Sequence, residues 1–179
     1  MTPTIRLGLP ADAAMLAEFA ARNFRDAFAA DNRPEDIELH LAGSYSPEKQ
    51  LAELVDPNIT TLLAEVDGQL AGYAQVRSDP VPPCVRGPAP IELGRFYVDR
   101  PWHGRGVAQA LMQAVVDAAV RRGAETLWLG VWERNARGRA FYQKAGFVDV
   151  GSQTFTLGTD VQFDRVLALD LRLARATAR

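Results

Sequence analysis

The chain has 179 residues, 47% hydrophobic and 23% charged, which suits one compact domain with its own core and argues against a second full one. With 20 Lys and Arg against 22 Asp and Glu, the net charge is -2 and the isoelectric point about 5.7, so the clustered positive charge of a general nucleic-acid binder is missing. Cys84 is the single cysteine, and His40 and His103 are the only histidines, which leaves no intrachain disulfide and no recognisable zinc-ligand spacing.

Thr4 to Leu7 reads as a short strand, and Pro10 with Asp12 opens a helix carrying Met15, Leu16, Phe19, Phe24 and Phe28 at an approximate helical period. Asp31 to Pro34 breaks that pattern, and a polar connection is expected before Ser46-Pro47-Glu48 starts the next helix, with Leu51, Leu54 and Val55 on its apolar face. Ile59 to Val66 and Gln69 to Val76 flank Asp67-Gly68, whose tolerance of positive φ makes this the plainest hairpin in the chain. Ser78 to Pro90 carries five prolines and is a loop that could border a site.

Ile91 to Val98 is the next strand, Gly104 to Arg122 a helix that Gly123 ends, and Thr126 to Trp132 an apolar strand covered on both faces. Strand, helix and strand in so few residues form a βαβ crossover, hence a parallel pair. Asn135 caps a short helix through Lys144, and Phe147 to Leu157 and Gln162 to Leu169 are two closing strands. Arg172, Arg175 and Arg179 read as a solvated end. No run reaches the roughly 18 apolar residues of a membrane span, and the chain opens on no basic-then-apolar leader, so a cytoplasmic protein is expected.

The turn His103-Gly-Arg-Gly-Val-Ala108 joins the crossover strand to its helix. Its glycines can bring backbone N–H groups close to a ligand, and the following helix adds the positive end of its dipole, a combination that binds pyrophosphate. A Walker loop fails, because Val107-Ala108 stand where Lys and Ser or Thr are required. A dinucleotide fingerprint lacks its third glycine near Gln109. A plain tight turn remains open on these residues alone.

Together with Asn135-Ala-Arg-Gly-Arg-Ala-Phe-Tyr-Gln-Lys-Ala-Gly-Phe147, this turn resembles the GNAT superfamily of acyl-CoA-dependent N-acetyltransferases. The signature of Gln or Arg, two residues, Gly, one residue, then Gly or Ala reads here as His103, Gly106 and Ala108, with His in place of Gln or Arg. The second signature matches Asn135, Phe141-Tyr142 and Gly146-Phe147, and the close match spans residues 91 to 147. The resemblance implies one N-acetyltransferase domain over residues 1 to 179, an α/β fold with a mixed, mostly antiparallel sheet flanked by helices. A central parallel pair would splay around acetyl-CoA as cosubstrate.

It also implies roles. Within a cofactor-binding turn of His103, Gly104, Arg105, Gly106, Val107 and Ala108, the backbone N–H groups of Arg105 to Ala108 would take the pyrophosphate, Val98 would meet the pantetheine amides, and Asn135 would be either an ordinary cap or a cap that also touches the cofactor arm. Tyr142 would donate a proton or hydrogen bond to the CoA sulfur, the competing reading being that Phe141 and Tyr142 only pack their helix on the sheet. Arg100 and Arg105 could reach outer phosphates, and Phe24, Phe28, Tyr45 and Trp102 either border the acceptor or pack the core. An amine acceptor arrives protonated, so a base is needed, acting directly or through water. Glu92, a carboxylate in an otherwise apolar strand, is the favoured candidate, with Arg95 as a purely structural partner in the competing reading, and Glu133 is the second. Expected partners are a small-molecule or peptide amine and, by family habit, a second copy of the chain. The alternative is a catalytically silent acyl-CoA sensor of the same fold.

Overall fold

Asp67 and Gly68 adopt φ of 52° and 76°, the left-handed pair that a two-residue hairpin turn demands, and they join β2 (Ile59–Val66) to β3 (Gln69–Arg77). The computed structural model describes residues 2–173; Arg175 and Arg179 lie outside them, and Arg172 closes on Asp170 at 2.7 Å. The remaining strands are β1 (Thr4–Leu7), β4 (Pro90–Val98), β5 (Thr126–Trp132), β6 (Val148–Leu157) and β7 (Asp160–Asp170). They form one sheet in the order β1-β2-β3-β4-β5-β7-β6, in which only β4 and β5 run parallel.

Helices cover both faces. On one, α4 (Val107–Arg121) and α5 (Ala136–Lys144) pack over Leu62, Leu93, Leu127, Leu129 and Leu167. Val107, Leu111, Val115 and Ala118 form the buried stripe of α4, and each fully buried Leu or Val stabilises by roughly 1.5–3 kcal/mol. On the other face, α1 (Ala13–Phe28), α2 (Pro34–Ser44) and α3 (Pro47–Val55) bury Leu16, Phe19, Ile37, Leu41 and Tyr45 against Leu63 and Tyr73. The alternation of strand side chains divides these two layers: Leu62 faces α4 and Leu63 faces α1.

The polar connection expected between residues 31 and 46 is instead largely α2. Pro34 sits at its start, Glu35 and Asp36 favour its positive end, and only Ile37 and Leu41 make its buried stripe, too few to announce a helix by periodicity. Asp36 accepts the Thr159 N–H at 2.7 Å and hydroxyl at 2.8 Å, which ties α2 to the β6–β7 turn. Helix α4 also begins later than Gly104, because Gly104 and Gly106 adopt φ of 75° and 84° and keep the turn out of the helical region until Val107.

Candidate active site

The parallel pair has three rungs, Pro90 with Thr126, Ile91 with Leu127 and Glu92 with Trp128. Beyond them β4 runs on to Val98 and β5 to Trp132 without pairing, and the sheet is split. A bulge explains the divergence. The register with β3 shifts between Gln75 and Val76, so Gly94 is the extra residue in β4, and a bulged strand bends and twists away from its neighbour. The side of Gly94 that lacks a Cβ is filled by the Arg77 guanidinium, which leaves no room for an added Cβ. Because the Asp99 N–H donates to the Ala71 carbonyl at 2.9 Å, alternation turns the backbone groups of Phe96 and Val98 away from β3, into the split.

The glycine turn lies at the open end. Val98 leads through a short 3-10 turn at residues 100–102, whose start is capped by the Asp99 carboxylate accepting the Arg100 N–H at 2.9 Å. His103 Nε2 donates to the Val98 carbonyl at 2.7 Å, so this histidine ties the turn back to the strand end and is held in the tautomer with hydrogen on Nε2. The first N–H groups of α4 have no partner within the helix, and Cβ atoms built on Gly104 or Gly106 would meet nothing within 4 Å. The space above these amides is open, as a phosphate cradle requires. Arg105 differs from its neighbours: its N–H donates to the Trp102 carbonyl at 3.3 Å, while its guanidinium stacks over the Trp102 ring.

Helix α5 flanks the split on the α4 face. The Asn135 carboxamide oxygen accepts the Gly138 N–H at 2.8 Å and starts the helix. Tyr142 is buried among Phe96, Phe141 and Phe147, with ring centroids 5.5 to 6.1 Å apart. Burial pushes its phenol well above the usual tyrosine range, so it stays protonated and able to donate at neutral pH.

Carboxylates gather on the α1 face. Glu92 lies at the last rung and is bound by Arg77 at 2.7 Å, not by Arg95; Arg77 also meets Asp79 at 2.8 Å. The bulge separates Glu92 and Arg95 in register, and Arg95 pairs instead with Glu53 at 2.5 Å beneath the Tyr45 ring. Burial raises the Glu92 carboxyl, opposed by its bond to Arg77. Glu133 is exposed just past β5. Phe24 and Tyr45 are core residues of the α1 layer, Phe28 meets Trp132 edge-on at 5.9 Å, and Trp102 packs on the α4 side.

One further carboxylate, Asp164 of β7, escaped the reading of the sequence. It pairs in register with Trp132 and reaches over Gly130, where an added Cβ would stand 3.1 Å from its Oδ2 and 2.7 Å from the Gln153 amide nitrogen. Burial raises its pKa to about 6.

Residues 19–147 match the acetyltransferase (GNAT) family. The chain is 36% identical over 161 residues to an uncharacterized N-acetyltransferase of Mycobacterium tuberculosis, spanning 89% of this chain and 98% of that protein. It is 31% identical over 155 residues to an uncharacterized N-acetyltransferase of Lactobacillus delbrueckii subsp. lactis, spanning 85% and 90%. The fold is similar to that of the PaiA N-acetyltransferase from Thermoplasma acidophilum, solved in complex with coenzyme A, at a TM-score of 0.77 and 23% identity over 95% of this chain and 99% of that one. The matched segment contains the split strands, the glycine turn and all of α5, and on that ground the chain belongs to the GNAT family of acetyltransferases.

Proposed function

We propose that this enzyme moves the acetyl group of acetyl-CoA to a primary amine by direct attack, in a single domain over residues 1–179. The observation that carries the reading is a parallel pair that opens after three rungs onto a left-handed glycine turn at a helix start. The N–H groups of Gly106, Val107 and Ala108 hold the pyrophosphate, supported by the helix dipole, with His103, Gly104 and Arg105 shaping the turn. Phe96 and Val98 offer backbone groups to the pantetheine amides as a missing strand would, and Asn135 fixes the start of α5 beside them.

The thioester then lies in the split, reached from both faces of the sheet. A neutral amine attacks the carbonyl carbon from the α1 face, the C–N bond forms, and the carbonyl electrons move to oxygen. Collapse breaks the C–S bond, and Tyr142 on the α4 face donates its proton to the leaving thiolate. Glu92, locked to Arg77, supplies fixed charge at the foot of the split and is the sequence-derived candidate for the base; Glu133 stands at the rim. Cys84 belongs to the proline-rich loop and packs near Gly151 of β6, against Trp128, Val166 and Ala168, which supports attack without an acyl-enzyme. Among the described residues no helix is long and apolar enough to cross a membrane, and we read the enzyme as cytoplasmic.

Calorimetric titration with acetyl-CoA, followed by thiol release against a panel of amines, tests the reading. Saturable binding with amine-dependent thiol release is expected. Binding without release would leave an acyl-CoA sensor, and no binding would reduce the glycine turn to a connection.

A further inference from the structure

Among the described residues most half-buried and buried carboxylates come with a guanidinium, and the half-buried Asp56, which does not, accepts the Asn58 N–H at 2.8 Å. Asp12 is paired with Arg6 at 2.7 Å, Asp36 with Arg33 at 2.7 Å, Glu53 with Arg95 at 2.5 Å and Glu92 with Arg77 at 2.7 Å. Asp164 departs from this pattern: among the described residues its carboxylate has no ion pair and no hydrogen bond, although the side chain is largely removed from water. An unpaired carboxylate in such a position costs stability, and a fold keeps one where it meets a ligand.

Its position says which ligand. Gly130 is two residues past the last rung of the parallel pair, at the level where β4 and β5 have begun to part. Asp164 leans over Gly130 on the α1 face, where the missing side chain leaves its Oδ2 within 3.1 Å of the built Cβ. Tyr142 packs on the opposite, α4 face of the sheet, whereas Asp164 shares the side of β7 that carries Val166 and Ala168. Asp164 therefore stands on the α1 face above β5, the strand that forms one wall of the split.

The surroundings favour a cation. The groups flanking Asp164 are neutral, Gly130 and Trp132 from β5 and Gln153 from β6. Beside it, reached through Trp132 and not lined by Asp164 itself, a recess of about 250 Å³ between the ends of β5 and β7 and the α1–α2 link is lined by Asp31, Glu133 and Asp160 against the single cation Arg134. From α2, His40 enters the same layer, stacked on Phe24 and edge-on to Phe155 of β6, with its pKa lowered by burial and by Arg95. Across the split the charges of β4 are spent internally, Arg95 on Glu53 and Glu92 on Arg77.

We propose that Asp164 is the carboxylate that receives the acceptor's ammonium group and takes its proton, and that the acceptor is a primary alkylamine arriving as a cation. The proposal rests on the acetyltransferase reading above. The ammonium gives one proton to the Asp164 carboxylate, and the freed nitrogen lone pair forms the C–N bond. As the C–S bond breaks, the sulfur takes the Tyr142 proton, and the second amine proton leaves to solvent; Asp164 then gives its proton to solvent and the Tyr142 phenolate takes one back, so that ammonium and acetyl-CoA become amide, free thiol and one proton. A pKa raised to about 6 leaves Asp164 ionised at neutral pH yet basic enough to accept a proton in the transition state.

The test compares wild type with Asp164→Asn, using n-butylamine, 1,4-diaminobutane and lysine amide as protonated acceptors and hydroxylamine as one already neutral at pH 7. Asparagine should lower kcat/KM for the alkylamines roughly 10²–10⁴-fold, change hydroxylamine turnover only a few-fold, and leave calorimetric acetyl-CoA affinity unchanged. The acid limb of the alkylamine profile, centred near pH 6 in the wild type, should vanish in Asp164→Asn and persist in His40→Gln. Unchanged alkylamine turnover overturns the proposal, as does an equal loss with both nucleophiles accompanied by weaker acetyl-CoA binding, which marks a structural role. Appearance of the selective loss in Glu92→Gln and not in Asp164→Asn moves the proton to Glu92. Hydroxylamine turnover with none of the alkylamines refutes the cationic class, whereas a wild type that neither binds acetyl-CoA nor releases thiol refutes the acetyltransferase reading first.

Discussion

Gly106 and Gly123 permit a controlled test of the phosphate cradle. Both adopt left-handed φ, 84° and 80°, and a Cβ built on either meets nothing within 4 Å. Alanine at either position therefore carries only the backbone cost of that conformation, about 1–2 kcal/mol. For a protein of this length each kcal/mol lowers Tm by about 2–4 °C, so each variant should melt about 2–8 °C below wild type. They differ in where the new methyl points. Gly106 caps the start of α4 below the open split, and Gly123 follows its other end. A methyl at Gly106 should displace the pyrophosphate and weaken CoA binding by roughly 10–100-fold, about 1.4–2.8 kcal/mol, while Gly123→Ala keeps wild-type affinity. Melting curves and calorimetric titration with CoA read both quantities on the same samples. Matched stability losses with wild-type CoA affinity in Gly106→Ala would refute the cradle, and equal affinity losses in both variants would show that strain, not contact, weakens binding.

Replacing Tyr142 with Phe should lower kcat by on the order of 10²-fold or more and leave acetyl-CoA affinity within a few-fold; parallel losses in both would deny it the role of proton donor. Glu53→Ala strands the Arg95 guanidinium beneath α2 and α3, a loss of about 3–5 kcal/mol that thermal melts should show, and a loss under about 1 kcal/mol would mean water reaches the arginine. Asp164→Asn should affect stability with a definite sign. The Asp164 pKa rises from about 4 in the unfolded chain to about 6 in the fold, so the stability that the protonated form contributes is complete below pH 4 and is lost as pH rises through 6. The asparagine variant does not titrate and should gain on wild type across that window, by on the order of 1–2 kcal/mol after discounting for partial exposure to water. A Tm difference that stays constant from pH 4 to 7 would remove the linkage.

Features set by a few adjacent residues were legible in the sequence. The Asp67-Gly68 hairpin, the Asn135 cap, the glycine turn and the strand–helix–strand crossover each depend on local backbone preferences, and the structure shows all four. The partner of Glu92 was not legible, because it depends on one extra residue at Gly94 that shifts the register against β3 and brings Arg77 to Glu92 and Arg95 to Glu53. Helix α2 lacked a sufficient apolar stripe and is held by tertiary bonds from Asp36 to Thr159, residues 123 positions apart. Asp164 left a fainter signal. It falls on the same side of β7 as Val166 and Ala168, both buried, so alternation places a carboxylate in an apolar column. What gives it meaning, the gap over Gly130 and the approach of Gln153, comes from β5 and β6 and has no trace in the local sequence.

The order of strands explains how Asp164 and Tyr142 come to lie on opposite faces of one sheet. The parallel pair gives the split and, through its crossover, the glycine turn; a wholly antiparallel sheet would provide neither. The antiparallel partners then add what the crossover lacks. Since β7 pairs with β5 in register from Thr126 with Asp170 to Trp132 with Asp164, every second residue of β7 is committed to one face. Leu167 and Leu169 join the α4 layer, and Asp164 is left on the α1 face beside the opening. A slip of one residue would turn Leu167 and Leu169 out of the core and swing Asp164 to the side of Tyr142, placing base and acid on one side of the thioester. The two apolar residues that stabilise the β5–β7 pairing therefore also determine the face on which Asp164 stands. A polar substitution at either should lower stability and turnover together, even though neither side chain touches the acceptor.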